Sequence, residues 1–499
     1  MKSFSDIHCH PTLFPFLKQE GTPWVENKNI VYPSQADFIK LARGDVRLVF
    51  VSLYPVEQGF LDLELLKMHK GEVTDTLANL LLSIPEDKVN EIQSPEHDYF
   101  NDLLGEYELI RDHEGENKIT GRGKNRKTFR YRIAGDFSDV KEILSLDENL
   151  QVSDPANSMI AVILTIEGGH SLGLGMPGIP DGSPGDLKDK VRHNITRLKS
   201  LGPDGQPGKH CPLFITLSHH FWNQLCGHCV SLPGMMNKIF DQKKGMNLDM
   251  QELGRFALDE LIACNGSRRI LIDTKHMPVE AKKWFYYTWL PEKERETGER
   301  IPVISSHSAA SGWDTLDRSK FEGDSGMLHD IADARYDASR EFNDWDINLS
   351  DEEIGLIHDS GGLIGLNMDK RILQGKLLLD RIKVNPDNAP GDLYYSLWAE
   401  PVVMNILHIA EVLYKKRGNV PSIWENIAIG SDFDGMISPL WAYSNAESFR
   451  NLDKMLVAKM ADRINTTDVL RGKTKAEIRT IVDAVMWGNA VRFLERNFR

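Results

Sequence analysis

Eight short apolar runs recur along this chain, and helical patterns fill the spaces between most of them. The runs are Phe4–His10, Val46–Pro55, Met159–Glu167, Pro212–His220, Arg269–His276, Ile301–His307, Gly362–Asn367 and Ile427–Asp432. Near-continuous apolar strands are what a parallel sheet covered on both faces requires. Ser34-x-x-Asp37 has the look of a capping box at a helix start. Leu253, Phe256, Ala257 and Leu261 recur at helical spacing before the fifth run. Ser350-x-x-Glu353 caps another helix, and Thr474-x-x-Glu477 opens a last one carrying Ile478, Ile481, Val482 and Val485. Eight strands alternating with helices predict an α/β chain folded as a (β/α)8 TIM barrel. In that architecture the chemistry sits at the C-terminal ends of the strands.

The chain is long enough for one elaborated barrel domain over residues 1–499, with 41% hydrophobic and 26% charged residues. Two segments exceed ordinary crossovers and are expected to be insertions. The first, residues 57–157 between strands 2 and 3, contains helical patterns at Phe60–Leu82 and Tyr99–Arg111. Its basic stretch Lys118–Arg132 is expected to be a solvated hairpin or loop. The second, residues 313–349 after strand 6, is polar and suits a lid near the barrel mouth. The formal net charge of −14 does not favour a general attraction to nucleic acid. No apolar run is long enough to span a bilayer, so no membrane partner is expected. The opening MKSFSDIHCH has no apolar signal core, which predicts a cytoplasmic protein. Five cysteines do not suggest a disulfide framework. Cys226-Gly-His-Cys229 has the string of a redox motif but follows a loop in a barrel context, so buried thiols are the expected reading.

The strand ends carry the chemistry. His8 and His10 are two apart on a strand, so both imidazoles face the same way. Glu167, His219, His276, His307 and Asp432 fall at later strand ends. Singly, each has a plainer role: Glu167 as a helix cap, His276 as a partner of Asp273, His307 in a serine-flanked loop, Asp432 in a turn. Together, His8, His10, Glu167, His276, His307 and Asp432 form a set able to hold two divalent ions, with Glu167 the carboxylate able to bridge. A hydroxide bridging such ions has a depressed pKa and is a nucleophile at neutral pH. Asp432 could take its proton and return it to a leaving amine.

The motifs Glu167–Leu172 (EGGHSL), Thr216–His219 (TLSH), Ile272–Pro278 (IDTKHMP), Val303–Ala309 (VISSHSA), Gly430–Gly435 (GSDFDG) and Trp487–Leu494 (WGNAVRFL) span nearly the whole chain. As an ordered set they resemble the membrane (renal) dipeptidase family of the amidohydrolase superfamily. The resemblance implies a metal-dependent hydrolase that cleaves the amide bond of dipeptides or related small N-acyl or peptidyl substrates, with two zinc ions and a homodimer. It implies that Glu167 bridges the ions, with His8, His10 and Asp432 on one side and His276 and His307 on the other. It gives His219 the substrate and its oxyanion, and makes Asn223 a candidate substrate contact. An arginine after the sixth strand holds the substrate carboxylate in the family, and Arg318 and Arg340 are equal candidates here. The family usually has His-x-Asp on its first strand, whereas this chain has His8-Cys9-His10, which makes the site one charge more positive. TatD-like nucleases also place His-x-His, Glu, His, His and Asp on a barrel. A catalytically silent barrel that binds metal or ligand is the third reading.

Overall fold

A computed structural model describes the chain except residues 1, 27–32, 62–83, 121–126, 155–156, 175–183, 233–239, 265, 321–340 and 384–390. Among the described residues there are ten strands: β1 (Phe4–Cys9), β2 (Val46–Leu53), β3 (Lys118–Thr120), β4 (Lys127–Ile133), β5 (Met159–Glu167), β6 (Phe214–Thr216), β7 (Leu271–Asp273), β8 (Val303–Ser308), β9 (Leu363–Leu366) and β10 (Ile427–Ile429). Eight of them, β1-β2-β5-β6-β7-β8-β9-β10, lie side by side in parallel, and each coincides with one of the eight apolar runs, β8 passing the end of its run by one residue. The ends of this row meet. The Asp432 amide donates to His8 O at 2.9 Å and the His10 amide to Phe433 O at 2.9 Å, which closes the (β/α)8 barrel.

The period of two along each strand sorts the core. On β2, Leu48 and Phe50 pack with Ile7, Ile163, Phe214, Leu271, Ile304 and Leu363, one group drawn from around the barrel. Val49, Val51 and Leu53 face the other way, into the layer shared with the surrounding helices. The helix Asn489–Asn497 and the turn before it bring Trp487, Val491 and Leu494 into the first group. β8 lies close against its neighbours. A Cβ on Gly365 or Gly430 would fall 1.8 Å from the Ser306 carbonyl, so only glycine lets the backbone next to His307 sit where it does.

The helix starts test the capping signals. Ser350 and Thr474 each form a complete capping box, with Glu353 and Glu477 reaching back. At Ser34-x-x-Asp37 the expectation is corrected. Asp37 is itself the cap of the helix Phe38–Arg43, accepting from the Ile39 and Lys40 amides, and Ser34 donates to its carboxylate. The short Asp side chain outcompetes the serine because it accepts two amides at once. The helix Tyr99–Asp112 matches its pattern, whereas most of the Phe60–Leu82 pattern lies outside the described residues.

The basic stretch is only partly solvated. β3 and β4 pair antiparallel, and β4 then adds in parallel to the first half of β5. Phe129, Tyr131 and Ile133 alternate inward and are buried, while the charged residues between them face out. Among the described residues no helix is long and apolar enough to cross a membrane.

Candidate metal centre

Each strand end delivers its side chain to one place. His8 lies within β1 and His10 one residue past its end, and both are fully buried. Their Nε2 atoms are 3.2 Å apart. His307 lies on β8 and His276 just beyond β7, and their Nε2 atoms are also 3.2 Å apart. Glu167 ends β5 between the two pairs. Its Oε2 is 3.0 Å from His10 Nε2 and 3.5 Å from His8 Nε2. Its Oε1 is 3.3 Å from His307 Nε2 and 3.8 Å from His276 Nε2. Asp432 approaches the first pair, with Oδ1 3.6 Å from His10 Nε2 and 3.9 Å from His8 Nε2. His276 and Asp432 hold left-handed backbones, at φ 65° and 61°. Strain of that kind in a non-glycine residue concentrates at functional sites.

Buried carboxylates behind the rim hold these positions. Asp6 accepts from the Ser431 amide and hydroxyl, which ties β1 to the loop that carries Asp432. Asp273 accepts from Thr216 Oγ1, from the Ser306 amide and hydroxyl and from the Lys275 amide, joining β6, β7 and β8. Asp273 therefore steadies the backbone on both sides of His276 and His307 and does not pair with His276. Asn367 Nδ2 donates to Asp432 Oδ2 at 3.3 Å.

The donor set fits divalent cations. Two nitrogens bound to one ion at 2.0–2.1 Å in tetrahedral geometry sit roughly 3.3 Å apart, close to the spacing within each imidazole pair. The described residues group as His8, His10, Glu167 and Asp432 on one side and Glu167, His276 and His307 on the other, with their ligand atoms within 4.8 Å. Glu167 belongs to both groups, one oxygen to each.

The electrostatics separate the two carboxylates. Burial works to raise the Glu167 carboxyl, but His8, His219 and His307 hold it well below the usual carboxylate range. Burial raises Asp432, and the Glu167 charge adds to the rise. Two acids pushed apart in this way suit different tasks. His219 lies past β6. Its Nδ1 is 2.6 Å from Glu57 Oε2, and its Nε2 is 3.5 Å from Glu167 Oε1. Burial works to lower the His219 imidazolium, but Glu57 and Glu167 raise it to about 9.

The surroundings of these donors show what the sequence concealed. Glu57 follows β2, a strand with no evident ligand at its end, and only the fold brings it to His219. A cavity opens on Glu167, His276, His307 and Asp432, and His219, His220, Lys275 and Arg371 line it as well. His220 Nδ1 is 2.6 Å from Ser231 Oγ, which in turn accepts from Gln242 Nε2 at 2.8 Å. Arg371 is clasped by both oxygens of Asp369.

Two of the expected substrate contacts lie away from the cavity lining. Arg318 does not line the cavity. It is exposed, bonded to both Asp314 oxygens at 3.0 Å one helical turn back, and stacked on Trp313. Asn223 is buried with its amide spent on the backbone, donating to Leu217 O and accepting from the Leu225 and Cys226 amides. It shapes the loop after His219. Arg340 lies outside the described residues. Cys226 and Cys229 are buried free thiols, and burial pushes Cys226 up to about 12, far from a reactive thiolate.

No protein-family model matches the chain, and no curated sequence matches it. Solved structures do. Dipeptidase AC, a metallo peptidase of family M19, aligns over 100% of this chain and 99% of its own, at 13% identity and TM-score 0.52. A metallo peptidase from Rhodobacter sphaeroides, solved with a phosphinate mimic of the dipeptide L-Ala-D-Ala, aligns over 100% and 99% at 14% identity and TM-score 0.51. The probable dipeptidase PvdM from Pseudomonas aeruginosa aligns over 99% and 94% at 15% identity and TM-score 0.51. At these identities the likeness is one of fold, and it runs the length of the chain.

Proposed function

We propose that the chain is a metal-dependent hydrolase of the membrane dipeptidase family, acting on the amide bond of dipeptides or related small peptidyl substrates. The observation that carries this reading is the Glu167 carboxylate, which turns one oxygen to His8 and His10 and the other to His276 and His307. That is the arrangement a bridging ligand between two cations requires, and a structural ion pair has no use for it. Asp432 joins the His8–His10 side. Zinc is the metal that the donor set and the family resemblance favour. When bound, two such ions polarise a carbonyl and activate a water at neutral pH.

The chain's own residues do the rest. Against burial, Glu57 and Glu167 keep His219 an imidazolium, which donates Nδ1–H to Glu57 and keeps Nε2–H as a donor beside Glu167. A donor fixed there stabilises the oxyanion that forms as the amide carbonyl is attacked. Asp432, whose Oδ1 faces His8 and His10 while Asn367 holds its Oδ2, accepts the proton of the attacking water and passes it to the departing amine. Tyr54, Phe60 and Ile372 line the walls and keep bulk water from the reacting atoms.

The test incubates metal-loaded protein with a dipeptide panel and, separately, with DNA. Peptide cleavage that depends on the metal is the expected result. Nucleotide release without peptide cleavage would overturn the reading in favour of a nuclease. Two bound metals with no turnover of any amide would favour a silent binding barrel.

A further inference from the structure

We infer that Lys275 is the specificity-determining cation of this site and receives a carboxylate carried by the substrate beside its scissile amide. The inference rests on the hydrolase reading above, and it concerns a residue that the family motifs do not single out for this role.

The other buried ammonium groups among the described residues have partners. Lys40 meets Asp37 at 2.8 Å, Lys88 meets Asp102 at 2.8 Å, and Lys282 meets Glu353 at 3.0 Å. Lys199 binds the carbonyls at a helix end, Glu260 O at 2.7 Å among them. Lys275 is 2% exposed, and its Nζ has one partner, Ile347 O at 3.3 Å. No carboxylate among the described residues forms an ion pair with it. An ammonium carries three donors, and leaving them unmatched out of water is costly.

Its location says what the missing partner is. Lys275 lines the same cavity as Glu167, His276, His307 and Asp432. Any anion that completes its bonding must therefore sit in the cavity, next to the position of the scissile amide. Among the described residues lining the cavity, Arg371 is already neutralised by both oxygens of Asp369, and His219 faces Glu57. Arg318 points to solvent. Among the described residues, Lys275 is thus the cavity cation that no carboxylate of the chain pairs with, and a carboxylate matches an ammonium in charge. The carboxylate comes either from the α-carboxyl of the leaving residue or from an acidic side chain on it.

Three probes separate these cases in metal-loaded protein: alanylalanine, alanylalaninamide, and alanylglutamate with its α-carboxyl amidated. Wild type is expected to show kcat/KM about 10- to 100-fold higher for alanylalanine than for alanylalaninamide, chiefly through KM. In Lys275→Met that ratio falls to about 1, and in Lys275→Arg it stays above 1. Calorimetric Kd values for the phosphinate analogue of alanylalanine and for its carboxamide follow the same pattern without any turnover. Efficient cleavage of the amidated alanylglutamate assigns the ammonium to a side-chain carboxylate, and poor cleavage assigns it to the α-carboxyl. Equal rates on acid and amide in wild type together with poor cleavage of the amidated alanylglutamate overturn the inference, as does a preference for the carboxylate that survives in Lys275→Met. Should Lys275→Met fail to fold, the wild-type ratio and Lys275→Arg decide. A wild type that cleaves no amide, yet binds the acid analogue more tightly than the carboxamide, overturns the hydrolase reading and leaves the role of Lys275 standing.

Discussion

The two sides of Glu167 are built differently. On one side, His8 and His10 come from a single strand and share Asp432 as a second carboxylate. On the other, His276 and His307 come from neighbouring strand ends and have only Glu167. The electrostatics follow. Burial opposes charge on His10, yet Asp432 and Glu167 raise its imidazolium to about 10. His276 and His307 are held well below the ordinary imidazole value, first by burial and then by nearby positive charge, from His219 and His8 respectively. One half of the centre attracts a cation with two carboxylates, the other with a share of one. The lesson is that two ligands on one strand arrive as a preformed pair, whereas ligands on separate strands are paired only by the fold, and both pairs depend on Glu167 to complete their donor set.

That contrast can be broken at its hinge. Glu167→Gln removes the oxygen charge facing both pairs, so elemental analysis should find both metals lost and amide hydrolysis lowered by ~10^4-fold or more. Retention of two metals in that variant would show that the halves are independent. Asp432→Asn keeps the metals and loses the proton carrier, so kcat should fall by ~10^2- to 10^4-fold at unchanged metal content.

Glu57→Gln probes a step further from the ions. Glu57 is held down to about 2 by His219 and His170, against the upward pull of burial. The His219 imidazolium persists below about 9 and is lost as pH rises through that value. Removing Glu57 lowers this value, so the alkaline fall of kcat/KM should move to lower pH. The maximum should drop by roughly 10- to 100-fold, as loss of an outer partner costs. A pH profile that does not move would remove His219 from the chemistry. The smallest effect belongs to Arg318→Ala. Its bonds to Asp314 are an exposed i,i+4 pair, worth about 0.3–0.5 kcal/mol, and kcat/KM should change by less than about 2-fold.

What could be read in advance was what is local. A strand announces itself by a few apolar residues in a row, and His8-x-His10 fixes its own geometry through the period of two. The barrel then followed from counting strands, and the placing of Glu167, His276, His307 and Asp432 from their positions at strand ends. Residues whose meaning depends on distant partners were not legible. Glu57 acquires its role from His219, 162 positions along the chain. Lys275 stood inside a recognisable motif, but its missing partner shows only in three dimensions. Asn223 and Arg318 show the converse, since each bonds a near neighbour in the chain, a loop turn for one and Asp314 for the other. The hairpin of β3 and β4 looked merely basic because its buried residues are spaced among charges.

Anomalous diffraction from crystals of the zinc-loaded protein tests the shared carboxylate most directly. The account predicts two peaks about 3.5–4 Å apart, one against His8, His10 and Asp432 and one against His276 and His307, with a Glu167 oxygen on each. A single peak, or a second one out of reach of Glu167, would contradict it.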